Sequence, residues 1–364
     1  RLREAGAVIL GKANMTEWAN FMTEGMPNGY SSRGGQVLNP YGPGRLDVGG
    51  SSSGTGAAVA ASLATVGIGT ETFGSILNPS SKNGLVGIKP TVGLISRSGI
   101  IPISHVQDTA GPMARCVEDA AILLGVLTGV DERDPATWRS EGFYYKDYTQ
   151  FLDKDGLRGR RIGIPLDDCD KLDREKALVR VAQEALKDLG ATVVDISADC
   201  PERWASKSLI YEFKPAINAY LSGLAPHVPV HSLKELIEFN KEHPYEMLRY
   251  GQTVFLASEA TSGTLTEPEY IRMRARDNFL ARERGIDFLL DKYGLDALVY
   301  PGIGCTMLSA RAGYPAIAVP VGVTEENQPV SITFTSRAWT EPLLLAMAYA
   351  FEKATCFRKP PVLD

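Results

Sequence analysis

The sequence predicts an α/β protein: a β-sheet covered by helices on both faces, with one large helical block set between its strands. Three observations predict it. Residues 1–130 alternate short apolar runs with helical patterns, residues 160–196 read as strand, amphipathic helix, strand, and residues 202–293 turn almost wholly helical before strands return.

Taken in order, Arg1 to Gly6 reads as the end of an amphipathic helix, and Ala7-Val8-Ile9-Leu10 as the strand after it. A glycine-serine turn, Gly49-Gly50-Ser51-Ser52-Ser53-Gly54-Thr55-Gly56, opens an alanine-rich helix over Ala57 to Ala64, whose small side chains allow close packing. Ser52, Ser53 and Thr55 are placed to cap it. From Ile68 the chain reads as a short buried strand, and a second turn, Thr70-Glu71-Thr72-Phe73-Gly74-Ser75, delivers Ser75 to the helical turn Ile76-Leu77-Asn78. Cys116 stands before Val117-Glu118-Asp119, where a capping serine is expected, so it reads as structure.

Residues 131–157, polar and aromatic, read as a long surface connection. Arg160 to Pro165 is a strand, Asp173 to Leu189 an amphipathic helix and Ala191 to Ile196 another strand, together a βαβ unit. The block at 202–293 includes a helix at Ser232 to Phe239 and a long Arg/Glu-rich helix from Glu267, and is expected to cap a site. Tyr211, Phe213, Tyr250 and Phe255 there fit either a substrate wall or the core. Strands return at Ala297 to Tyr300, Ala316 to Val321 and Val330 to Phe334, before a helix over Pro342 to Lys353.

With 364 residues and 44% hydrophobic content the chain can bury a large core, and its net charge of −5 gives no electrostatic footprint for nucleic acid. It has no apolar run long enough for a membrane span. Five cysteines (Cys116, Cys169, Cys200, Cys305 and Cys356) lack metal-type spacing, and their odd number favours free thiols in a reducing, cytoplasmic setting.

Two serines 24 positions apart on glycine-bearing turns, the later one at a helix start, are the ingredients of a nucleophile beside an oxyanion hole. A serine needs a base, and none of His105, His227, His231 and His243 has a triad-like context. Two other readings are weaker. A linker is rarely followed at once by an apolar helix and a second glycine turn, and a phosphate loop would carry a Gly-Lys-Ser/Thr ending after a clear strand.

The run from Gly49 to Thr91, ending Gly84-Leu85-Val86-Gly87-Ile88-Lys89-Pro90-Thr91, resembles the signature of the amidase signature family of serine hydrolases. Gly11 to Trp18, Gln107 to Met113 and Tyr314 to Pro320 agree, so the resemblance spans nearly the whole chain. Tyr30 to Gln36 and Leu209 to Lys214 look closest to the bacterial peptide amidases, which remove the C-terminal amide of peptides.

The resemblance implies one extended α/β domain over 1–364 on a mixed sheet, with 202–293 a helical cap insertion. It assigns Ser75 as nucleophile and Ser51, after a cis peptide bond, as the proton relay of a Ser-cisSer-Lys triad. Thr72, Phe73, Gly74 and Ser75 supply backbone N–H groups to the carbonyl oxygen, and Gly34 and Gly35 are implied in substrate binding. Asp108 and Arg115 match positions that tie loops together beneath the site. A small-molecule or peptide amide is the implied substrate, with no metal or organic cofactor. The family's lysine lies several dozen residues before the signature, so the chain as given is expected to lack it and to be impaired. Lys12 matches a structural segment, and Lys82 and Lys89, though nearer Ser75 in sequence, are weak candidates for a replacement base. Phe73 stands where relatives carry glycine or aspartate, which is permissible if its φ stays negative. The segment Tyr300 to Met307 looks shorter than its counterpart in peptide amidases. The alternatives are a glutamyl-tRNA amidotransferase A-type subunit and a non-catalytic scaffold.

Overall fold

The structure, a computed structural model, describes residues 1–166 and 173–363, and Cys169 lies outside them. Strands β1 (Tyr30–Ser31) and β2 (Gly35–Gln36) make a small antiparallel hairpin. Helix α1 (Ser53–Ala60) leads to β3 (Val66–Glu71), α2 (Leu77–Lys82), β4 (Val86–Lys89), β5 (Thr109–Ala114) and α3 (Val117–Leu127). A parallel unit follows: β6 (Arg161–Ile164), α4 (Asp173–Asp188) and β7 (Thr192–Asp195). The helical stretch holds α5 (Ser208–Ser222), α6 (Leu233–Glu242), α7 (Pro244–Met247), α8 (Thr253–Glu259), α9 (Pro268–Ala281) and α10 (Asp287–Tyr293). Next come β8 (Ala297–Pro301), α11 (Thr306–Ala312), β9 (Ala316–Val323), β10 (Pro329–Thr335) and α12 (Glu341–Thr355).

Among the described residues the main sheet runs β3-β5-β4-β9-β10-β8-β6-β7. It is mixed: β6 pairs in parallel with β7 and β8, and the other pairings are antiparallel. Side chains alternate between faces along a strand, and here both faces are apolar. Ala297, Val299, Ile317 and Val319 join one buried cluster with residues of α3, α4 and α12, while Leu298, Tyr300, Ala316 and Ala318 join a second with α10 and α11. That is the helix–sheet–helix layering the alternation predicted.

A third cluster holds the helical block together. Phe213, Ile217, Leu233, Leu236, Ile237 and Phe255 pack with Met22 and Ile103. Phe213 and Phe255 are therefore core, whereas Tyr211 donates its hydroxyl to Glu269 and Tyr250 packs edge-to-face against Tyr30 beside the Arg249 guanidinium. The block also divides: α9 and α10 contribute Ala281, Leu289 and Leu290 to the cluster under the sheet. The long helix expected from Glu267 breaks at a π-type segment, Arg282–Ile286, where Gly285 leaves helical geometry.

Several local expectations fail for identifiable reasons. Residues 2–6 form turns, and residues 7–10 pair with no strand among the described residues, leaving Val8, Ile9 and Leu10 exposed. Four apolar residues gain no ladder hydrogen bonds without a neighbour. The strand around Ile68 is the sheet's edge, with Ile68 itself 36% exposed. Helix α1 starts and ends four residues early, and Ser62, at φ +61°, closes its end in a Schellman turn, with Leu63 N–H donating to Ala58 C=O at 2.9 Å. Residues 131–157 are more than a surface link, since Tyr148 and Leu157 are wholly buried in the first cluster.

Candidate active site

The site begins at the end of the edge strand. Glu71 closes β3, and its buried carboxylate accepts the N–H groups of Ile76 at 2.8 Å and Leu77 at 3.0 Å, folding the intervening residues into a tight turn. The expected free N–H donors at the start of α2 are thus already taken by a side chain. Gly74 carries the turn's positive φ, +84°, so Phe73 keeps an ordinary backbone and its side chain is tolerated. Among the described residues, the N–H groups of Phe73 and Ser75 make no hydrogen bond, and Ser75 follows directly after the turn.

Thr72 is held from two sides. Its hydroxyl donates to Asp108 at 2.5 Å, and its carbonyl accepts from the Gln107 amide at 3.1 Å. Asp108 also accepts from the Ile103 and Ser104 N–H groups at 2.8 and 2.9 Å, so it ties two loops together as the sequence suggested. Arg115 does likewise, donating to the carbonyls of Val59 and Ala64.

The first serine turn is fastened to the second. Ser52 N–H donates to the Ser75 carbonyl at 3.2 Å, and Ser52 Oγ bridges the Thr70 backbone, donating to its C=O and accepting its N–H, both at 3.1 Å. Ser52 therefore stitches loops instead of capping α1, and Ser53 Oγ donates to Gly49 C=O at 2.7 Å. Gly54 is required by close approach: a Cβ there would sit 2.4 Å from the Asn14 carbonyl. The Gly50–Ser51 peptide is cis. Ser51 is fully buried, and its hydroxyl has no partner among the described residues.

Ser51 and Ser75 line one small cavity with Thr70, Thr72, Asp108, Arg97 and Ile103. Gly34 and Gly35 do not. They sit on the exposed β1–β2 hairpin, where Gly34 N–H donates to Ser31 Oγ at 2.9 Å and Asn14 donates to the Gly35 carbonyl at 3.3 Å. Lys82, Lys89 and His105 are also absent from the lining. His105 offers the loop only its carbonyl, which accepts from Arg97, and burial together with Arg97 lowers its ring pKa.

Sequence reasoning missed Glu71, Ser52 and Gln107 as builders of the turn. A carboxylate just before a glycine turn and a helix start was the available signal for Glu71. Lys89 ends a strand, as its place before Pro90 predicts, and donates to a nearby carbonyl, that of Pro90 at 3.2 Å. Lys89 is also wholly buried near Glu71, Glu341 and Cys305, which nothing in its local sequence indicates. Burial pushes the Lys89 ammonium down and both carboxyls up, opposed by their mutual attraction.

A family profile described as Amidase matches residues 1–345. The chain belongs to the Amidase family. This amidase is 41% identical to a probable amidase of Arabidopsis thaliana, covering 99% of the chain and 70% of the relative. The X-ray structure of native peptide amidase from Stenotrophomonas maltophilia superposes with a TM-score of 0.91 at 44% identity, covering all of the chain and 77% of that structure. A structure of peptide amidase in complex with the competitive inhibitor chymostatin matches with a TM-score of 0.91 at 43% identity, covering all of the chain and 77% of the other. The mixed sheet flanked by helices is the fold of these enzymes, and the family's chemistry is hydrolysis of amide carbon–nitrogen bonds. Among the described residues of this amidase no helix is long and apolar enough to cross a membrane, and no cluster of three or more His, Cys, Asp or Glu could hold a metal.

A pH dependence follows from Asp108. Burial raises its carboxyl to about 6, against the pull of the Thr72 hydroxyl and two N–H groups. The unfolded chain releases this proton near ~3.9. Between those values the folded state holds a proton that the unfolded state has lost, so this group makes folding less favourable as pH rises from about 4 to about 6, with no further change above. Function runs the other way, because the three bonds Asp108 accepts are strongest when it is charged. The rate of amide hydrolysis is expected to fall several-fold as pH drops through about 6. In Asp108→Asn that inflection should vanish from the pH–rate profile, and its persistence would count against Asp108.

Proposed function

We propose that this amidase cleaves carboxamides of peptides or peptide-like molecules, with Ser75 as nucleophile and Ser51 as proton relay. The observation that carries the reading is the meeting of both serines in one cavity beside a turn with unused N–H donors. Ser75 Oγ attacks the amide carbon while its proton passes to Ser51 and on to a base. The Phe73 and Ser75 N–H groups face the developing oxyanion. Collapse expels ammonia or an amine, which takes up a proton, and leaves an ester on Ser75; water then attacks the ester and releases the acid.

A lysine outside these 364 residues is the proposed base, since the family's arrangement requires one and no lysine lines the cavity among the described residues. The unpartnered Ser51 hydroxyl suits that role, because a buried polar group without a partner costs about 1–3 kcal/mol. Resemblance to peptide amidase and to its chymostatin complex supports a peptide-like substrate.

Labelling with a fluorophosphonate probe tests this. With the base supplied, the probe is expected on Ser75 by mass spectrometry, and Ser75→Ala should stay unlabelled; equal labelling of both removes Ser75 as nucleophile. The 364 residues alone are expected to label ~10²-fold slower or more, the usual contribution of a positioned base. Rapid labelling would show that another base serves.

A further inference from the structure

The loop that grips Thr72 is itself gripped from the helical layer. Ser104 is fully buried, and its hydroxyl donates to the carboxylate of Glu212 on α5, a residue 108 positions later that is 3% exposed. The other Glu212 oxygen accepts the Tyr270 hydroxyl of α9 at 3.1 Å. Ser104 Oγ meanwhile accepts the N–H groups of Val106 and Gln107, both at 3.2 Å, which shapes the loop so that Gln107 and Asp108 reach Thr72. Ile103, one residue earlier, lines the cavity and packs in the same cluster as Phe213, the residue after Glu212.

An unbroken chain of buried hydrogen bonds therefore runs from Tyr270 through Glu212 and Ser104 to the loop, and from the loop through Asp108 and Gln107 to Thr72. We propose that Glu212 is a positioning residue: it ties helices α5 and α9 to the turn at Thr72–Ser75 and so fixes the N–H donors facing the substrate carbonyl. This rests on the reading of Ser75 as nucleophile. Such donors must be held within about half an ångström to be effective, and a hydrogen-bonded network acts as a unit where single bonds do not. The helical layer thereby acts on the chemistry without touching it.

The test measures two things in the intact protein. Backbone hydrogen exchange is followed in the peptide covering 72–77 and in β10 as a control, and the maximal rate of fluorophosphonate labelling at Ser75 is measured with its half-saturating concentration. Glu212→Ala and Ser104→Ala are each expected to speed exchange at 72–77 and to slow maximal labelling about tenfold, leaving β10 exchange and half-saturation unchanged. Glu212→Gln, which keeps an acceptor, should recover most of the rate. Combined with Thr72→Val, Glu212→Ala should cost no more than the worse single change, because both cut one chain.

Unchanged exchange and labelling in Glu212→Ala and Ser104→Ala overturns the proposal, as does faster exchange in β10 as well, or losses that multiply in the double variant. If Glu212→Ala fails to fold, Tyr270→Phe and Ser104→Ala carry the same comparison. A wild-type protein that is not labelled at Ser75 instead defeats the functional reading, and the exchange measurement still decides whether the coupling exists.

Discussion

Ser75→Ala is expected to lower kcat for a peptide carboxamide by on the order of 10⁴-fold or more, with little change in KM, when ammonia release is measured with the base present. Ser51→Ala should cost about 10²–10⁴-fold, the range for losing a positioned proton carrier. The double variant should be no slower than Ser75→Ala, because a relay has nothing to serve once the nucleophile is gone. A Ser51→Ala protein within threefold of wild type would show that the proton leaves Ser75 by another route. The shared cavity argues for coupling, as does the Ser52 N–H to Ser75 carbonyl bond that holds the two turns in register. Ser53 makes the natural control. It is equally buried but bonds back to Gly49, so Ser53→Ala should act through stability and leave the labelled residue unchanged.

The sequence made the layered fold and the serine turns legible because both are written locally. Continuous apolar runs in β8 and β9 and the βαβ pattern at 161–195 fix which elements form, and the glycines at 49, 54 and 74 mark where the backbone must turn tightly or come close to a neighbour. Phe73 shows how far this reaches. Its tolerance depended on which residue takes the positive φ, and only the folded turn shows that Gly74 does.

What stayed hidden is long-range and carried by side chains. Nothing near Ser104 announces Glu212, and nothing near Thr91 announces that its N–H will donate to Glu341 across 250 residues. The edge position of β3 was equally unreadable. Its sequence does not announce an edge, and only the strand order shows that β3 has a neighbour on one side alone, with Ile68 36% exposed. The run at 7–10 failed in the opposite sense, having strand composition without a partner. Composition sets which residues can enter a sheet, while pairing sets which of them do.

Glu71 gives the second large effect, on stability. Its carboxylate both closes the Thr72–Ser75 turn through Ile76 and Leu77 and faces the buried Lys89 ammonium, whose other acidic neighbour is Glu341. Glu71→Leu is expected to cost about 3–5 kcal/mol, read as a lower urea midpoint, because it removes two backbone acceptor bonds and strips a buried cation of a counter-charge. Glu71→Gln should cost less, since its amide oxygen can still accept from the turn. The decisive comparison adds Lys89→Met. If the loss comes mainly from the uncompensated ammonium, Glu71→Leu with Lys89→Met should regain a large part of it, as apolar replacement of a buried pair often does. If it comes mainly from the turn, the midpoint should stay low and Ser75 labelling should remain slow. The two outcomes separate Glu71 as a counter-ion from Glu71 as the acceptor that shapes the turn before Ser75. The geometry favours the second, because both N–H groups converge on one oxygen at 2.8 and 3.0 Å while the other oxygen has no hydrogen-bond partner among the described residues.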